Sequence, residues 1–280
     1  MAEVLIGVEA LVDAMLSNRP PVVLDVRWQL GSDSGPQDYR DGHLPGAVYV
    51  DLESELAAPP SAAQGRHPLP ALEDLQAAAR RWGVDFGVPV VVYDDCGGLS
   101  AARAWWLLRW GGLTEVSILD GGLEAWRDAG LRISSGDATP RTGNVVLPGG
   151  HCDGGAMPTV GIDDVANGDA LLLDARAGER YRGEVEPIDP RPGHIPGAIS
   201  VPTAENLTAA GVFKTGDELR ARFAGIGAVD ADRDIVVYCG SGVTAAHQIA
   251  ALEVAGVRAA LYPGSYSQWS ADPDRVVETQ

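Results

Sequence analysis

Cys239 is the residue of this sequence with the clearest potential for chemistry. It directly follows residues 235–238, an apolar run typical of a buried strand, and a loop of small residues separates it from an alanine-rich stretch typical of a helix. The N–H groups of such a turn and the amino end of the helix favour a thiolate over a thiol. We therefore expect a reactive cysteine, surrounded by Gly240, Ser241, Gly242, Val243 and Thr244.

The alternative is that Cys239 is a small buried residue of the core, as single cysteines after a strand usually are. Two features of the following loop argue against this. Gly240 and Gly242 permit backbone conformations that turn successive N–H groups inward, and Ser241 and Thr244 add hydroxyl donors. A core cysteine requires neither feature.

The chain around this loop is built from a repeat. Four segments of the first half recur in the second half in the same order, which indicates a duplicated domain. The matching pairs are 22–27 and 171–176, 42–48 and 193–199, 91–94 and 236–239, and 119–126 and 262–269.

Each copy alternates short β-branched runs with helical stretches, which predicts an α/β domain with a mostly parallel sheet flanked by helices. Ligands of such sheets bind at the carboxyl ends of the strands, where Cys239 falls. We expect a first domain at 1–132, a linker rich in Ser, Gly, Pro and Thr at 133–157, and a second domain at 158–280. The predicted helices include 72–82, 101–110, 217–225 and 245–255.

Composition narrows the function. The 280 residues carry a formal net charge of −18, which disfavours nucleic acid as a partner because phosphate binding needs clustered Lys and Arg. We expect no secretory signal, because the first residues lack a basic segment followed by an apolar core, and no apolar run is long enough for a membrane span. Three cysteines without a Cys-x-x-Cys pair argue against a disulfide framework or a zinc site, so we expect a cytoplasmic protein without a metal.

The duplication provides an internal control. Asp94 occupies the position of Cys239 in the first copy, and a carboxylate cannot act as a sulfur nucleophile, so we expect the first domain to be non-catalytic. Cys96 does not align with Cys239 and is expected to be incidental, with a redox role as the alternative. The sequence assigns no role to Cys152.

These motifs resemble the two-domain rhodanese superfamily of sulfurtransferases over nearly the whole chain. Asp-x-Arg and Gly-His-x-Pro-Gly-Ala occur in both halves, Leu-Asp-Gly-Gly begins at Leu119, and Cys-Gly-Ser-Gly-Val-Thr begins at Cys239. The resemblance implies an inactive first domain and a catalytic second domain, with Cys239 as the nucleophile. It takes a sulfane sulfur from a donor, becomes a persulfide, and passes the sulfur to a thiophilic acceptor such as cyanide, thioredoxin or another thiol.

The resemblance also bears on the donor. Members that prefer thiosulfate tend to have basic residues after the cysteine, whereas the neutral loop of this chain is similar to members that prefer 3-mercaptopyruvate, which we favour slightly. Arg180 matches the substrate-binding arginine of the family, and an arginine fork suits a carboxylate. The second arginine common after Glu-Pro is absent, because Ile188 stands there, and Arg182 or Arg191 could replace it.

In mercaptopyruvate-type relatives the loop serine is proposed to act with a histidine and an aspartate of the first domain. The matching residues here are Ser241, His43 and Asp33, which could form a proton relay. His194 recurs at the position of His43, so a turn-forming role is the alternative. We expect His247 on the surface of its helix.

Other functions stay open. Thiosulfate:cyanide sulfurtransferase activity is the nearest alternative, and a non-catalytic persulfide carrier or binding module is an alternative of another class. Phosphatases of this fold carry Cys-x5-Arg, but the sixth residue after Cys239 is Ala245. The expected partners are a small-molecule sulfur donor and a thiophilic acceptor, with thioredoxin one candidate, and we expect a monomer without an organic cofactor.

Overall fold

The computed structural model describes residues 3–149 and 157–279 and divides the chain into two compact units. Unit 1 holds residues up to 57, the stretch that begins at 70, and 210–212. Unit 2 holds 58–69, 157–209 and the chain from 213 onward. Residues 58–69 therefore belong structurally to unit 2, although they lie in the first half of the sequence.

Unit 1 is built on a parallel sheet of five strands in the order β1-β5-β4-β2-β3. All four residues of β4 are buried, as expected for a central strand covered on both faces. The strands are β1 (Leu5–Ile6), β2 (Val22–Asp25), β3 (Val48–Tyr49), β4 (Val90–Tyr93) and β5 (Val116–Leu119). The helices are α1 (Val8–Met15), α2 (Gly35–Asp41), α3 (Leu52–Glu55), α4 (Leu72–Arg81), α5 (Ala101–Trp110) and α6 (Gly122–Asp128).

Unit 2 repeats this plan with a parallel sheet of four strands in the order β7-β6-β8-β9. The strands are β6 (Leu171–Asp174), β7 (Ile199–Ser200), β8 (Ile235–Tyr238) and β9 (Ala260–Leu261). The helices are α7 (Ile162–Asn167), α8 (Gly178–Tyr181), α9 (Gly216–Ala224), α10 (Thr244–Val254) and α11 (Ser265–Ala271), with a short 3-10 helix at Thr203–Asn206. The α/β class and the four predicted helices are confirmed, with ends that differ by at most one residue.

The recurring polar motifs stabilise each unit from inside. In unit 1 the buried Arg27 donates to both carboxylate oxygens of Asp25, and in unit 2 Arg176 does the same to Asp174. Each guanidinium also donates to a carbonyl at the Gly-His turn, that of Gly42 or Gly193. Burial of these pairs in both units identifies them as structural.

The described part of the predicted linker packs as part of unit 1. Val145 and Leu147 are buried, the Arg80 side chain donates to the Val145 carbonyl, and the Leu147 amide donates to Gln76. Residues 133–149 therefore contribute to the core of that unit. The remaining expected linker residues and Cys152 lie outside the described residues. No helix within the described ranges is both long and apolar enough to cross a membrane.

Candidate active site

Cys239 lies at the carboxyl end of the central strand β8, five residues before α10 begins. Its side chain is buried, with 1% of the residue exposed, and its Sγ accepts the backbone N–H of Gly242 at 3.1 Å. Gly242 has a φ of 81°, a left-handed conformation that suits glycine and turns its amide toward the sulfur. The turn after β8 therefore directs one backbone N–H at the sulfur of Cys239.

The start of α11 holds the backbone on both sides of this sulfur. The Cys239 N–H donates to Ser265 Oγ at 3.2 Å, and the Cys239 carbonyl accepts from the Tyr266 N–H at 3.0 Å. The Gly240 carbonyl accepts from the Ser267 N–H at 2.8 Å. These bonds tie the loop to a helix that is close in space but distant in sequence.

Ser241 is paired with a histidine that the sequence analysis did not select. Its hydroxyl and His67 Nδ1 lie 2.7 Å apart, and the two residues are 7% and 1% exposed. His67 lies in segment 58–69, which belongs to unit 2. The structure therefore brings a first-half histidine to the loop serine, as the predicted relay requires, but the residue is His67.

His43 and Asp33 are placed in unit 1. The His43 ring stacks on Tyr39 at 4.1 Å, and its Nδ1 bonds to the Tyr39 carbonyl at 2.8 Å. His194 repeats this arrangement on Tyr181, which matches the turn-forming alternative for both histidines. Asp33 is exposed in the loop before α2. The recurring Gly-His motif favours His43, whereas His67 belongs to no recurring segment, so no spacing in the sequence indicates it.

Two arginines lie over Gly240. A methyl group built on Gly240 would be 3.1 Å from Arg66 Nη2 and 3.5 Å from Arg180 Nη1. The same two side chains bind opposite oxygens of the Asp189 carboxylate, at 2.8 Å from Arg66 and 3.0 Å from Arg180. Arg180 also binds Glu186 through Nε and Nη2. The structure thus places Arg180 beside the loop, together with Arg66, which the sequence analysis missed.

The two arginines considered as replacements for the missing second arginine have other partners. Arg182 pairs with the exposed Glu184 at 2.7 Å. Arg191 donates to the backbone carbonyls of Trp269 and Ser270 in α11 and to that of Arg275 beyond it. Arg66 is the residue that approaches Gly240 beside Arg180.

The remaining predicted loop residues take structural positions. Val243 is buried and precedes α10, and the half-buried Thr244 is the first residue of that helix. His247 is fully buried, its Nδ1 lies 2.7 Å from Thr203 Oγ1, and its ring stacks on Phe213. The expectation that His247 lies on the helix surface is therefore wrong, because this face of α10 packs into unit 2.

Comparison with known proteins identifies the family of the chain. The rhodanese-like domain family matches residues 9–129 and 161–272, one match for each copy of the repeat. This chain is a tandem member of the rhodanese family. It is a sulfurtransferase, with two α/β rhodanese domains.

Relatives that align with most of this chain are named for two different sulfur donors. A Mycobacterium tuberculosis protein named "Putative thiosulfate sulfurtransferase SseB" is 47% identical over 98% of this chain and 96% of that protein. The 3-mercaptopyruvate sulfurtransferase of Escherichia coli K12 is 41% identical over 86% of this chain and 85% of the relative. The crystal structure of SseA from Escherichia coli superposes with a TM-score of 0.81 at 34% identity, covering 95% of this chain and 100% of that one.

The first rhodanese domain carries an anion where the second has its cysteine. The buried Asp94 carboxylate accepts a hydrogen bond from the Ser100 hydroxyl and from four backbone N–H groups. Those amides belong to Cys96, Gly98, Ser100 and Ala101 and lie 2.8 to 3.0 Å from the carboxylate oxygens. The loop after the central strand of this rhodanese domain therefore binds a negative charge, and here its own side chain supplies it.

Cys96 differs from Cys239 in its environment. Burial, then the nearby Asp94 carboxylate, raises the pKa of the Cys96 thiol well above its ordinary value. A thiol held in the neutral form is a poor nucleophile, which fits the expectation that Cys96 is incidental. Within the described ranges of this rhodanese, no three His, Cys, Asp or Glu side chains are grouped so that they could hold a metal ion.

Proposed function

We propose that Cys239 carries a sulfane sulfur as a persulfide, accepting it from 3-mercaptopyruvate and passing it to a thiophilic acceptor. The observation that carries this proposal is the Gly242 N–H directed at Cys239 Sγ, at the head of α10. A thiolate is the nucleophile that attacks soft sulfur, and the same amide can stabilise the negative charge of the persulfide. The Asp94 cradle of the first domain supports this, because it shows that the equivalent loop binds an anion.

The first half-reaction transfers sulfur from carbon to Cys239. The thiolate attacks the donor sulfur, a sulfur–sulfur bond forms, and the carbon–sulfur bond breaks. The electron pair of that bond leaves on the CH2 carbon as the enolate of pyruvate, which becomes pyruvate when this carbon receives a proton. No external oxidant is needed, because the two electrons that the two sulfur atoms lose on forming the sulfur–sulfur bond pass to the CH2 carbon, which is reduced to the methyl carbon of pyruvate.

The pair of Ser241 and His67 is suited to supply that proton. Its members are 2.7 Å apart and buried, and Ser241 is two residues from the nucleophile. General acid catalysis of this kind typically contributes about 10²- to 10⁴-fold in rate. In this proposal His67 takes the role that the sequence suggested for His43, and neither Asp33 nor His43 takes part.

The second half-reaction returns the enzyme to its starting state. An acceptor such as cyanide attacks the outer sulfur of the persulfide, its carbon–sulfur bond forms, and the Cys239 thiolate leaves. Cyanide becomes thiocyanate, whereas a thiol acceptor becomes a persulfide itself. Thioredoxin is a candidate acceptor. We also infer that the protein is a cytoplasmic monomer, and that donor and acceptor reach its site by diffusion.

Thiosulfate is the second candidate donor, favoured by the name of the relative from Mycobacterium tuberculosis. With thiosulfate the bond that breaks joins two sulfur atoms, and sulfite leaves with the electron pair. Sulfite is a stable anion, so this donor needs no proton from Ser241 and His67. The neutral Gly-Ser-Gly sequence after Cys239 supports 3-mercaptopyruvate as the preferred donor.

Substitution of the nucleophile tests the proposal. We expect C239S to lower kcat/KM for both donors by at least about 10³-fold, because an alcohol is a far weaker nucleophile for sulfur. The activity is measured as thiocyanate formation. The mass of the wild-type protein should also increase by one sulfur atom after incubation with the donor in the absence of an acceptor. The matched control is C96S, which we expect to retain activity. Thiocyanate formation by C239S near the wild-type rate would show that Cys239 is not the sulfur carrier.

A further inference from the structure

The ionic cluster over Gly240 provides a means of donor selection. We propose that Asp189 and Arg66 set the charge of the donor that the site accepts, favouring a monoanionic carboxylate over a dianion. This inference rests on the proposed function, and it assigns roles to two residues at separate places in the sequence. We call Arg66, Arg180, Asp189 and Glu186 the donor clamp.

Asp189 holds the two guanidinium groups side by side. Its Oδ1 accepts from Arg66 Nη1 and its Oδ2 from Arg180 Nη2, so each oxygen binds one arginine. The Asp189 side chain is 1% exposed, and its backbone N–H donates to Glu186 at 3.0 Å. A buried carboxylate bound in this way fixes the position of both arginines before any donor arrives.

The nitrogen atoms nearest to the loop are the ones that these ion pairs leave unused. Arg66 uses Nη1 and Arg180 uses Nε and Nη2 for Asp189 and Glu186. The atoms closest to Gly240 are Arg66 Nη2 and Arg180 Nη1. Within the described residues, the buried Nε of Arg66 also lacks a hydrogen-bond partner. Two guanidinium donors beside the residue that follows Cys239 suit the two oxygens of one carboxylate.

The charges of the clamp cancel before a donor binds. Arg66 and Arg180 contribute two positive charges, and Asp189 and Glu186 contribute two negative charges. Glu186 also lies 3.4 Å from Arg176, whose own charge is balanced by Asp174. Burial raises the pKa of Glu186, but hydrogen bonds from Arg180 and from backbone N–H groups outweigh it and lower the pKa, so this carboxyl is ionised. A monoanion therefore leaves one uncompensated charge and a dianion leaves two, which penalises thiosulfate relative to 3-mercaptopyruvate.

Removing a negative charge from the clamp and removing a positive charge from it should shift donor preference in opposite directions. D189N leaves the clamp with an excess positive charge, and we expect the ratio of kcat/KM for thiosulfate to that for 3-mercaptopyruvate to rise about tenfold. R66Q leaves an excess negative charge and should lower the same ratio about tenfold. The control for D189N is E184Q, which also removes one negative charge, but from a carboxylate paired with Arg182 on the surface. Its donor ratio should stay within about twofold of that of wild type.

A second readout does not depend on sulfur transfer. The rate of Cys239 alkylation by the anion iodoacetate, divided by that by neutral iodoacetamide, should rise in D189N and fall in R66Q. If the wild type uses neither donor but the alkylation ratio rises in D189N and falls in R66Q, the proposed function fails and the clamp stands. If the donors turn over but D189N and R66Q match E184Q in both the donor ratio and the alkylation ratio, the clamp proposal fails and the proposed function stands. Should D189N not fold, as judged by thermal unfolding, the direction of the R66Q shift decides.

Discussion

At the scale of single residues, the proposed function divides two chemical tasks between neighbouring side chains. In that proposal Cys239 is the nucleophile, and Ser241 bonded to His67 supplies a proton to the carbon that loses sulfur. The two donors place different demands on this pair, because the pyruvate enolate needs a proton and sulfite does not. The roles of these residues can therefore be separated by the donor used.

We expect H67Q to lower kcat/KM for 3-mercaptopyruvate by about 10²-fold and that for thiosulfate by less than about fivefold. Glutamine retains a hydrogen-bonding partner for Ser241 but cannot supply a proton. The comparison variant is H43Q, which removes the histidine that stacks on Tyr39. A donor-selective loss in H43Q, without one in H67Q, would favour the assignment made from the Gly-His motif. Equal loss of both donors in H67Q would mean that the histidine only supports the loop.

At the scale of elements, the loop after β8 depends on the first residue of α11. Ser265 has a φ of 51°, and among the described residues it is the one with a positive φ that is not glycine. Its counterpart in the repeat, Gly122, has a φ of 54°. The second domain therefore tolerates strain of about 1–3 kcal/mol at this turn. In return, the buried Ser265 hydroxyl accepts the N–H of Cys239.

Two substitutions at Ser265 separate the strain from the hydrogen bond. S265A keeps the strained backbone and removes the acceptor, so we expect the free energy of unfolding to fall by about 1–2 kcal/mol. S265G removes the same acceptor but relieves the strain, and its free energy of unfolding should stay within about 0.5 kcal/mol of wild type. Urea unfolding measures both. If the two variants were equally destabilised, the positive φ would not be a source of strain.

At the scale of the whole molecule, both proposed donors carry the same sign of charge as the protein. The net charge of −18 repels both donors during approach, and the dianion more strongly than the monoanion. We expect kcat/KM for thiosulfate to rise about threefold between about 10 and 200 mM salt, and that for 3-mercaptopyruvate to rise less, because salt screens this repulsion. Alkylation of Cys239 by neutral iodoacetamide is the control and should not depend on salt. A fall in thiosulfate kcat/KM with salt would indicate that the local arginines outweigh the field of the whole protein.

The amino-acid sequence is sufficient to predict the duplication, the parallel α/β domains, and the position of Cys239 after the central strand of the second copy. These features depend on local hydrophobic pattern and on recurrence within the chain, both of which can be read without coordinates. Arg180 was also found, through its family motif. Two contacts become visible only in the folded chain: His67 bonds to Ser241, 174 residues away, and Arg66 pairs with Asp189, 123 residues away. Arg66 and His67 both lie in residues 58–69, a segment that belongs to unit 2. Hydrophobic periodicity gives no information about where the side chain of a loop residue lies in the folded protein.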